Sequence, residues 1–168
     1  MTIQQLLLFN ILYLVILVVV AVLTRATARR VAGALTGAFA AGVAALGIIA
    51  LGERAGWWHM TIIWKPYFLI VLLIDITLCA YIFLITWRIA RRFGWRGLAI
   101  CIAAAAMLGP PRDYWYMARF PAWGAYAPGI TPVLVVSVTY VVLGIIGHGV
   151  MRLVAGPADA DRLAYRLS

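Results

Sequence analysis

The chain has 168 residues, of which 66% are hydrophobic and only 11% are charged, and its formal net charge is +9. A soluble domain is nearer half apolar and a quarter charged, and at this length its surface could not conceal so much apolar area. A bilayer removes that constraint. We therefore predict an all-α integral membrane protein and exclude an ordinary soluble domain.

The basic residues occur in short clusters between apolar runs, and this arrangement encodes membrane topology. There is no separate basic domain of the kind that binds nucleic acid, so we expect no nucleic-acid partner. The two cysteines, Cys79 and Cys101, both fall inside apolar runs and do not indicate a disulfide framework.

Five apolar runs are candidates for membrane-spanning helices, because a span needs about 20 apolar residues that each rise ~1.5 Å. The first run has no basic leader and no cleavage pattern after it, so we expect a retained helix. In chain order the predicted helices are residues 6–23, 31–51, 67–87, 95–109 and 131–154. The fourth is short and ends at a Gly-Pro-Pro sequence. We interpret residues 1–154 as one transmembrane domain and 155–168 as a short cytoplasmic tail.

The arginines predict the orientation of this five-helix bundle. Ten basic residues follow the first, third and fifth helices: Arg25, Arg29, Arg30, Arg88, Arg91, Arg92, Arg96, Arg152, Arg162 and Arg166. Four lie on the other side: Arg54, Lys65, Arg112 and Arg119. Cytoplasmic segments carry the excess of basic residues, so the N-terminus is predicted outside and the C-terminus in the cytoplasm. We expect a multi-pass protein of a bacterial cytoplasmic membrane.

The second helix carries small residues spaced by four, Gly33, Gly37, Ala41 and Ala45. Small residues permit close helix approach in lipid, where little hydrophobic drive acts between helices. This stripe predicts either the centre of the bundle or, through Gly33, Gly37 and Ala41, contact with a protein partner or a second copy. Membrane lipids are the other expected partner.

The two segments on the predicted outer side are long and aromatic. Residues 52–66 and 109–132 contain five of the seven tryptophans: Trp57, Trp58, Trp64, Trp115 and Trp123. Amphipathic rings often form a belt at headgroup depth. The alternative is an aromatic cap over a binding pocket, which the scarcity of tryptophan on the cytoplasmic side favours slightly.

Asp75 is the most informative single residue, because it lies about 12 Å below the outer end of the third helix. An ionised carboxylate there costs several kcal/mol (about 2.5 or more) unless it is paired or reaches water. Asp75 is therefore a candidate proton donor, cation site or buried ion pair. A structural hydrogen bond to a neighbouring helix is the plainer alternative, worth about 1 kcal/mol.

Two pairs of opposite charge, Glu53-Arg54 and Arg112-Asp113, lie at helix ends on the outer side. They could cross-pair, Glu53 with Arg112 and Asp113 with Arg54. Solvated surface charges that contribute little are the alternative. This is nevertheless the place where acids and aromatic groups can converge, so we select three candidate catalytic acids, Asp75, Asp113 and Glu53. The candidate substrate-binding residues are Trp57, Trp58, His59, Arg112, Tyr114, Trp115 and Tyr116.

The fifth helix has Tyr140, Gly144, His148 and Arg152 on one stripe. His148 lies roughly 13 Å deeper than Asp75, so a direct pair is not expected. His148 is more typical of a packing residue whose hydrogen bonds are satisfied. Arg152 is expected to reach the cytoplasmic headgroups. Hydrolase, phosphate-loop and dinucleotide motifs are absent, and the two histidines lie on opposite sides, so we predict no metal site and no cofactor.

Acids beside aromatic walls resemble, in residue types alone, the membrane-embedded cyclases of isoprenoid lipids. The first functional hypothesis is therefore a membrane enzyme performing acid-initiated cyclisation or isomerisation of an isoprenoid-like lipid in a pocket open to the outer face. A carboxylic acid protonated by burial can donate to an alkene, and aromatic faces stabilise the resulting cation. The alternatives are a non-enzymatic accessory or assembly subunit and an oligomeric proton-coupled transporter of a small solute or lipid.

Overall fold

The computed structural model describes residues 3–61 and 68–157, and these residues are almost entirely helical. The helices are α1 (Ile3–Thr24), α2 (Ala28–Arg54), α3 (Phe68–Arg119) and α4 (Ile130–Ala155). Two short strands, β1 (Trp58–His59) and β2 (Ala125–Tyr126), form one antiparallel pair. Within the described ranges, four helices are long and apolar enough to cross a membrane. This supports the predicted class of membrane protein.

The predicted count of five helices is not matched, because α3 covers both the third and the fourth predicted segments. This element of 52 residues contains Pro110 and Pro111 and is interrupted at Gly94, where φ is 67° and ψ is −159°. A straight helix of that length would extend about 78 Å, far more than a bilayer core of ~30 Å. Gly94 divides α3 into two arms, residues 68–93 and 95–119.

The two arms of α3 fold back on one another at Gly94. A Cβ atom placed on Gly97 would lie 3.4 Å from the carbonyl oxygen of Ile89, eight positions earlier. Farther along, Gly147 of α4 contacts Phe83 of the first arm and Gly144 contacts Ile102 of the second. Phe83 and Ile102 would be about 28 Å apart along a straight helix, whereas the two glycines are about 4.5 Å apart along α4. The arms are therefore neighbours that both pack against α4.

The small-residue stripe of α2 packs against α4 within the same chain. A Cβ on Gly33 would lie 2.9 Å from Cβ of Ala155, and one on Gly37 would meet the carbonyl oxygen of Gly147. Ala41 is buried in the same core. The first alternative, a place inside the bundle, thus describes this stripe. The surface through which we predicted a partner is covered by α4, and the existence of a partner stays a prediction.

Contacts at the basic end of the bundle join the beginnings and ends of the helices. Thr27 caps α2 by accepting a hydrogen bond from the backbone N–H of Arg30. The Arg30 side chain is only 2% exposed, and its Nη1 donates to the carbonyl oxygen of Gly156 at 2.9 Å. Its guanidinium also lies 4.8 Å from the ring centre of Trp87. Arg30 thereby holds the start of α2, the end of α4 and the first arm of α3 together.

Candidate functional site

The two outer segments are joined to each other. In the β1–β2 pair, Trp58 lies opposite Tyr126 and His59 opposite Ala125. The backbone N–H of Ala127 also donates to the carbonyl oxygen of Trp57 at 2.9 Å. The segment after α2 and the segment before α4 therefore form a single structure at one end of the bundle.

Trp58 is a packing residue in this structure. Its side chain is 6% exposed, and its indole N–H donates to the carbonyl oxygen of Ile49 at 3.0 Å. The indole lies directly against Gly52, where any Cβ would collide with it. Its other neighbours include Met60 and Val136, which are buried with it. This arrangement favours a structural role for Trp58, which we had selected as a candidate substrate-binding residue.

Glu53 fixes the outer segment and does not pair with Arg112. One carboxylate oxygen of Glu53 accepts from the backbone N–H of Met60 at 2.8 Å. The same oxygen lies 3.6 Å from Nδ1 of His59, an exposed side chain. Arg112 bonds instead to its own neighbour, Asp113, so the cross-pairing that we considered as one alternative is not the arrangement in the structure. The charges at the ends of α2 and α3 belong to separate local networks.

Arg112, Asp113 and Tyr140 form a closed hydrogen-bonded set, which we call the outer triad. Nε and Nη2 of Arg112 donate to Oδ1 of Asp113 at 3.0 and 2.8 Å. Nη2 also donates to the hydroxyl of Tyr140 at 2.6 Å, and that hydroxyl donates to Oδ2 of Asp113 at 2.9 Å. Gly109 leaves room for the Tyr140 ring, because a Cβ atom at position 109 would collide with that ring. Asp113 held this way is a hydrogen-bonded anchor between α3 and α4.

Three aromatic residues follow the outer triad along α3. The ring of Tyr114 stacks on Tyr126 with centroids 4.3 Å apart. The Tyr114 hydroxyl is buried without a hydrogen-bond partner among the described residues. Trp115 is 61% exposed, and Tyr116 is exposed beside it. Tyr114 therefore belongs to the packed cluster, whereas Trp115 and Tyr116 face outward.

Burial keeps the phenol of Tyr126 neutral. Desolvation raises the pKa of Tyr126 well above its ordinary value of 10.0, and the charge of Asp113 acts in the same direction. The hydroxyl of Tyr126 therefore donates or accepts hydrogen bonds near neutral pH and does not serve as an anion.

Asp75 occupies a different environment from the other two candidate acids. It is exposed on the side of α3 and has no hydrogen bond or ion pair among residues 3–61 and 68–157. It lines a small cleft of about 30 Å³ between α2 and α3. The remaining lining residues of that cleft are apolar: Gly42, Ala45, Leu46, Ile49, Phe68, Val71 and Leu72. None of the tryptophans that the structure describes lines it.

The folding back of α3 at Gly94 places its first arm, which carries Asp75, beside its second arm, which carries Arg112 and Asp113. The structure thus brings Asp75, Arg112 and Asp113 into one half of the bundle. It leaves Glu53, Trp57, Trp58 and His59 in the neighbouring β1 region.

His148 has a satisfied side chain. Its Nε2 lies 2.7 Å from the hydroxyl of Thr86, and its ring lies 5.0 Å from that of Phe83. The Thr86 hydroxyl also lies 2.9 Å from the carbonyl oxygen of Ile82, to which it can donate while accepting from His148. This agrees with the interpretation of His148 as a packing residue. In residues 3–61 and 68–157, no group of three His, Cys, Asp or Glu side chains is placed to hold a metal ion.

Tyr140 is a site residue that the candidate list omitted. Its position on a stripe with Gly144 and His148 was visible in the sequence, but its hydrogen bonds depend on how α4 meets the second arm of α3. Tyr126 could not be selected from the sequence for the same reason, because its neighbours come from α3 and β1.

Comparisons with protein-family models, with curated proteins and with solved structures gave no match.

Proposed function

We propose that this protein is a membrane enzyme in which Asp75 donates a proton to an apolar, isoprenoid-like lipid. The observation that carries the proposal is an exposed carboxyl group beside an apolar cleft, at membrane depth, without a hydrogen-bonding or ionic partner among the described residues. An acidic side chain inside a membrane has a high free-energy cost, so such residues are usually associated with function. A carboxyl group surrounded by hydrocarbon carries its proton and can donate it to a weakly basic alkene.

The contacts of the other two acids favour Asp75 as the donor. Asp113 accepts from Arg112 on Oδ1 and from Tyr140 on Oδ2, so both of its oxygens are already engaged. Glu53 accepts from the backbone N–H of Met60 and thereby holds the outer segment. We therefore assign Asp113 and Glu53 positioning roles. Arg112, the cation of the outer triad, would then stabilise negative charge on Asp75 after it has given up its proton.

The size of the cleft defines how a substrate would bind. A volume of about 30 Å³ admits only a small group, so the reactive end alone would enter between α2 and α3. The remaining chain would lie in the bilayer along Leu46 and Phe68. Access would be lateral, from the lipid, and the outer aromatic residues would act on the substrate only where it emerges.

We further propose that both arms of α3 cross the membrane, which gives five crossings with the N-terminus outside and the C-terminus in the cytoplasm. The folding back at Gly94 and the shared contacts with α4 support this topology. A fluorescent protein fused to the C-terminus should be bright, and a periplasmic phosphatase fused there should be inactive. The reverse result would contradict the topology.

The test of the enzymatic proposal is a comparison of nonpolar lipid extracts from cells expressing the wild type, Asp75→Asn, Asp113→Asn or Glu53→Gln at matched levels. Mass spectrometry should show an isoprenoid product that accumulates with the wild type and falls by about a hundredfold with Asp75→Asn, the usual size of a lost general acid. Purified protein in lipid vesicles should reproduce the difference. Product formation that is unchanged by Asp75→Asn would refute the proposal.

A proton-coupled transporter is the second candidate, and one observation favours it. The Thr86–His148 pair places further polar groups on the α3–α4 interface, about 17 Å along α3 from Asp75. Asp75, the outer triad and this pair would then mark a route for protons. Vesicles containing the protein and a pH-sensitive dye should acidify in response to a solute gradient, and Asp75→Asn should abolish that response. A wild type without proton flux for any solute would argue against it.

A further inference from the structure

We propose that a cavity at the basic end of the bundle binds the phosphate headgroup and upper acyl chain of one anionic phospholipid. The cavity has a volume of about 340 Å³ and lies between the end of α1 and the end of the first arm of α3. It is separate from Asp75 and from the outer triad, and the proposal does not depend on the enzymatic one.

The lining of the cavity matches an amphiphilic ligand. Arg88 and Arg92 supply two guanidinium groups, whereas Leu23, Ile85 and Phe93 supply apolar surface. These three apolar side chains are 69%, 41% and 61% exposed, so the cavity opens on the outside of the bundle, where lipid is the surrounding solvent. Basic cavities between transmembrane helices are recognised sites for anionic lipid headgroups.

The arginines retain donors for a phosphate. Nη1 of Arg88 donates to the carbonyl oxygen of Thr24 at 3.0 Å, which fixes the guanidinium at the end of α1. An arginine has five N–H donors in a planar fork that suits phosphate oxygens, so this single bond leaves most of them available. Arg92 is exposed and lies 5.2 Å from the ring centre of Phe93, which orients it beside the cavity.

Charge separation favours an anionic over a zwitterionic lipid. The three acidic residues that the structure describes, Glu53, Asp75 and Asp113, all lie toward the outer side, away from this cavity. Arg25 directly follows the lining residue Thr24 and adds to the positive potential of the cavity. A basic residue that contacts the headgroup of an anionic lipid contributes about fivefold in affinity.

The experiment is native mass spectrometry of the full chain in mild detergent, titrated with phosphatidylglycerol or with phosphatidylcholine. The wild type should retain one phosphatidylglycerol with a preference of at least about tenfold over phosphatidylcholine, as expected for two arginines. Arg88→Gln and Arg92→Gln should each reduce that preference about fivefold. Arg96→Gln is the matched control, because this exposed arginine does not line the cavity, and its preference should match the wild type.

Arg88→Gln also removes the bond to α1, so Ile85→Trp provides a second test that keeps all charges. The larger side chain should fill the cavity and displace the bound lipid while the thermal unfolding temperature stays unchanged. Equal losses for Arg92→Gln and Arg96→Gln would overturn the proposal, because they would indicate diffuse surface charge. Binding of inorganic phosphate as tightly as phosphatidylglycerol, or a dimer that retains no lipid, would overturn it as well.

Discussion

The hydroxyl of Tyr140 lies 2.9 Å from Oδ2 of Asp113, although the two residues are 27 positions apart and belong to different helices. The same hydroxyl accepts from Arg112. One oxygen atom therefore connects α4 to both charged members of the outer triad, and its removal should loosen the α3–α4 contact without changing any charge.

We expect Tyr140→Phe to lower the free energy of unfolding by about 1–2 kcal/mol. This value lies somewhat below the usual contribution of a hydrogen bond to a charged group, because such bonds contribute less in a membrane. Reversible unfolding in mixed detergent micelles measures it. Tyr114→Phe is the matched control, because the Tyr114 hydroxyl has no hydrogen-bond partner among the described residues, and it should change little. Equal stability of the two variants would show that the outer triad does not hold the helices together.

Gly37 is required for close packing of α2 on α4. We expect Gly37→Ala to destabilise the protein by about 1–3 kcal/mol, since the new methyl group would press on the backbone of Gly147. Gly47→Ala on the same helix meets nothing within 4 Å and should be neutral or slightly stabilising. The same unfolding assay compares the two. If Gly37→Ala were also neutral, α2 and α4 would not approach as closely as described.

Gly94 has a backbone conformation that other L-residues rarely adopt. With φ at 67° and ψ at −159°, Gly94→Ala should cost about 1–3 kcal/mol although no atom crowds the position. Gly149→Ala is the matched control, because Gly149 is helical and also has open space around it. Unfolding midpoints of the two variants measure the difference. A Gly94→Ala variant as stable as Gly149→Ala would mean that α3 does not turn back at this residue.

Tyr126 should make the protein sensitive to alkali. Its pKa is raised in the folded state, so its contribution to stability is complete below the unfolded value of about 10 and declines as the pH rises beyond it. We expect the wild type to lose more thermal stability than Tyr126→Phe between pH 8 and about pH 10.5. Tyr116→Phe, at an exposed position, should behave as the wild type. Parallel alkaline losses in all three proteins would contradict this assignment.

The sequence predicts the membrane class because apolar length and arginine placement are local properties. The close approach of Gly33 and Gly37 to another helix was also predictable, since small residues at intervals of four have that effect in lipid. The identity of the helix that Gly33 and Gly37 approach could not be predicted, because nothing local distinguishes α4 from a helix of a second chain. The packing of α2 on α4 depends on the tertiary fit of Gly147 and Ala155.

The continuity of α3 and the outer triad could not be predicted in the same way. Residues 88–96 read as a polar connection, yet arginine is a good helix former and the helix continues up to Gly94. The triad depends on the pairing of α3 with α4, whereas the sequence offered Glu53 as one possible partner for Arg112. The packing of Trp58 could not be predicted for a related reason, since its burial depends on Gly52 and on the strand pair.

The turn at Gly94 has a consequence for how the chain enters the membrane during synthesis. Because one residue reverses the direction, no loop separates the two arms of α3. Under the five-crossing topology that we propose, the arms would therefore leave the insertion machinery as a paired hairpin. The second arm begins with Trp95 and Arg96 and is rich in alanine, so it would partition into lipid weakly by itself. The strongly apolar first arm would then carry the second arm across the membrane.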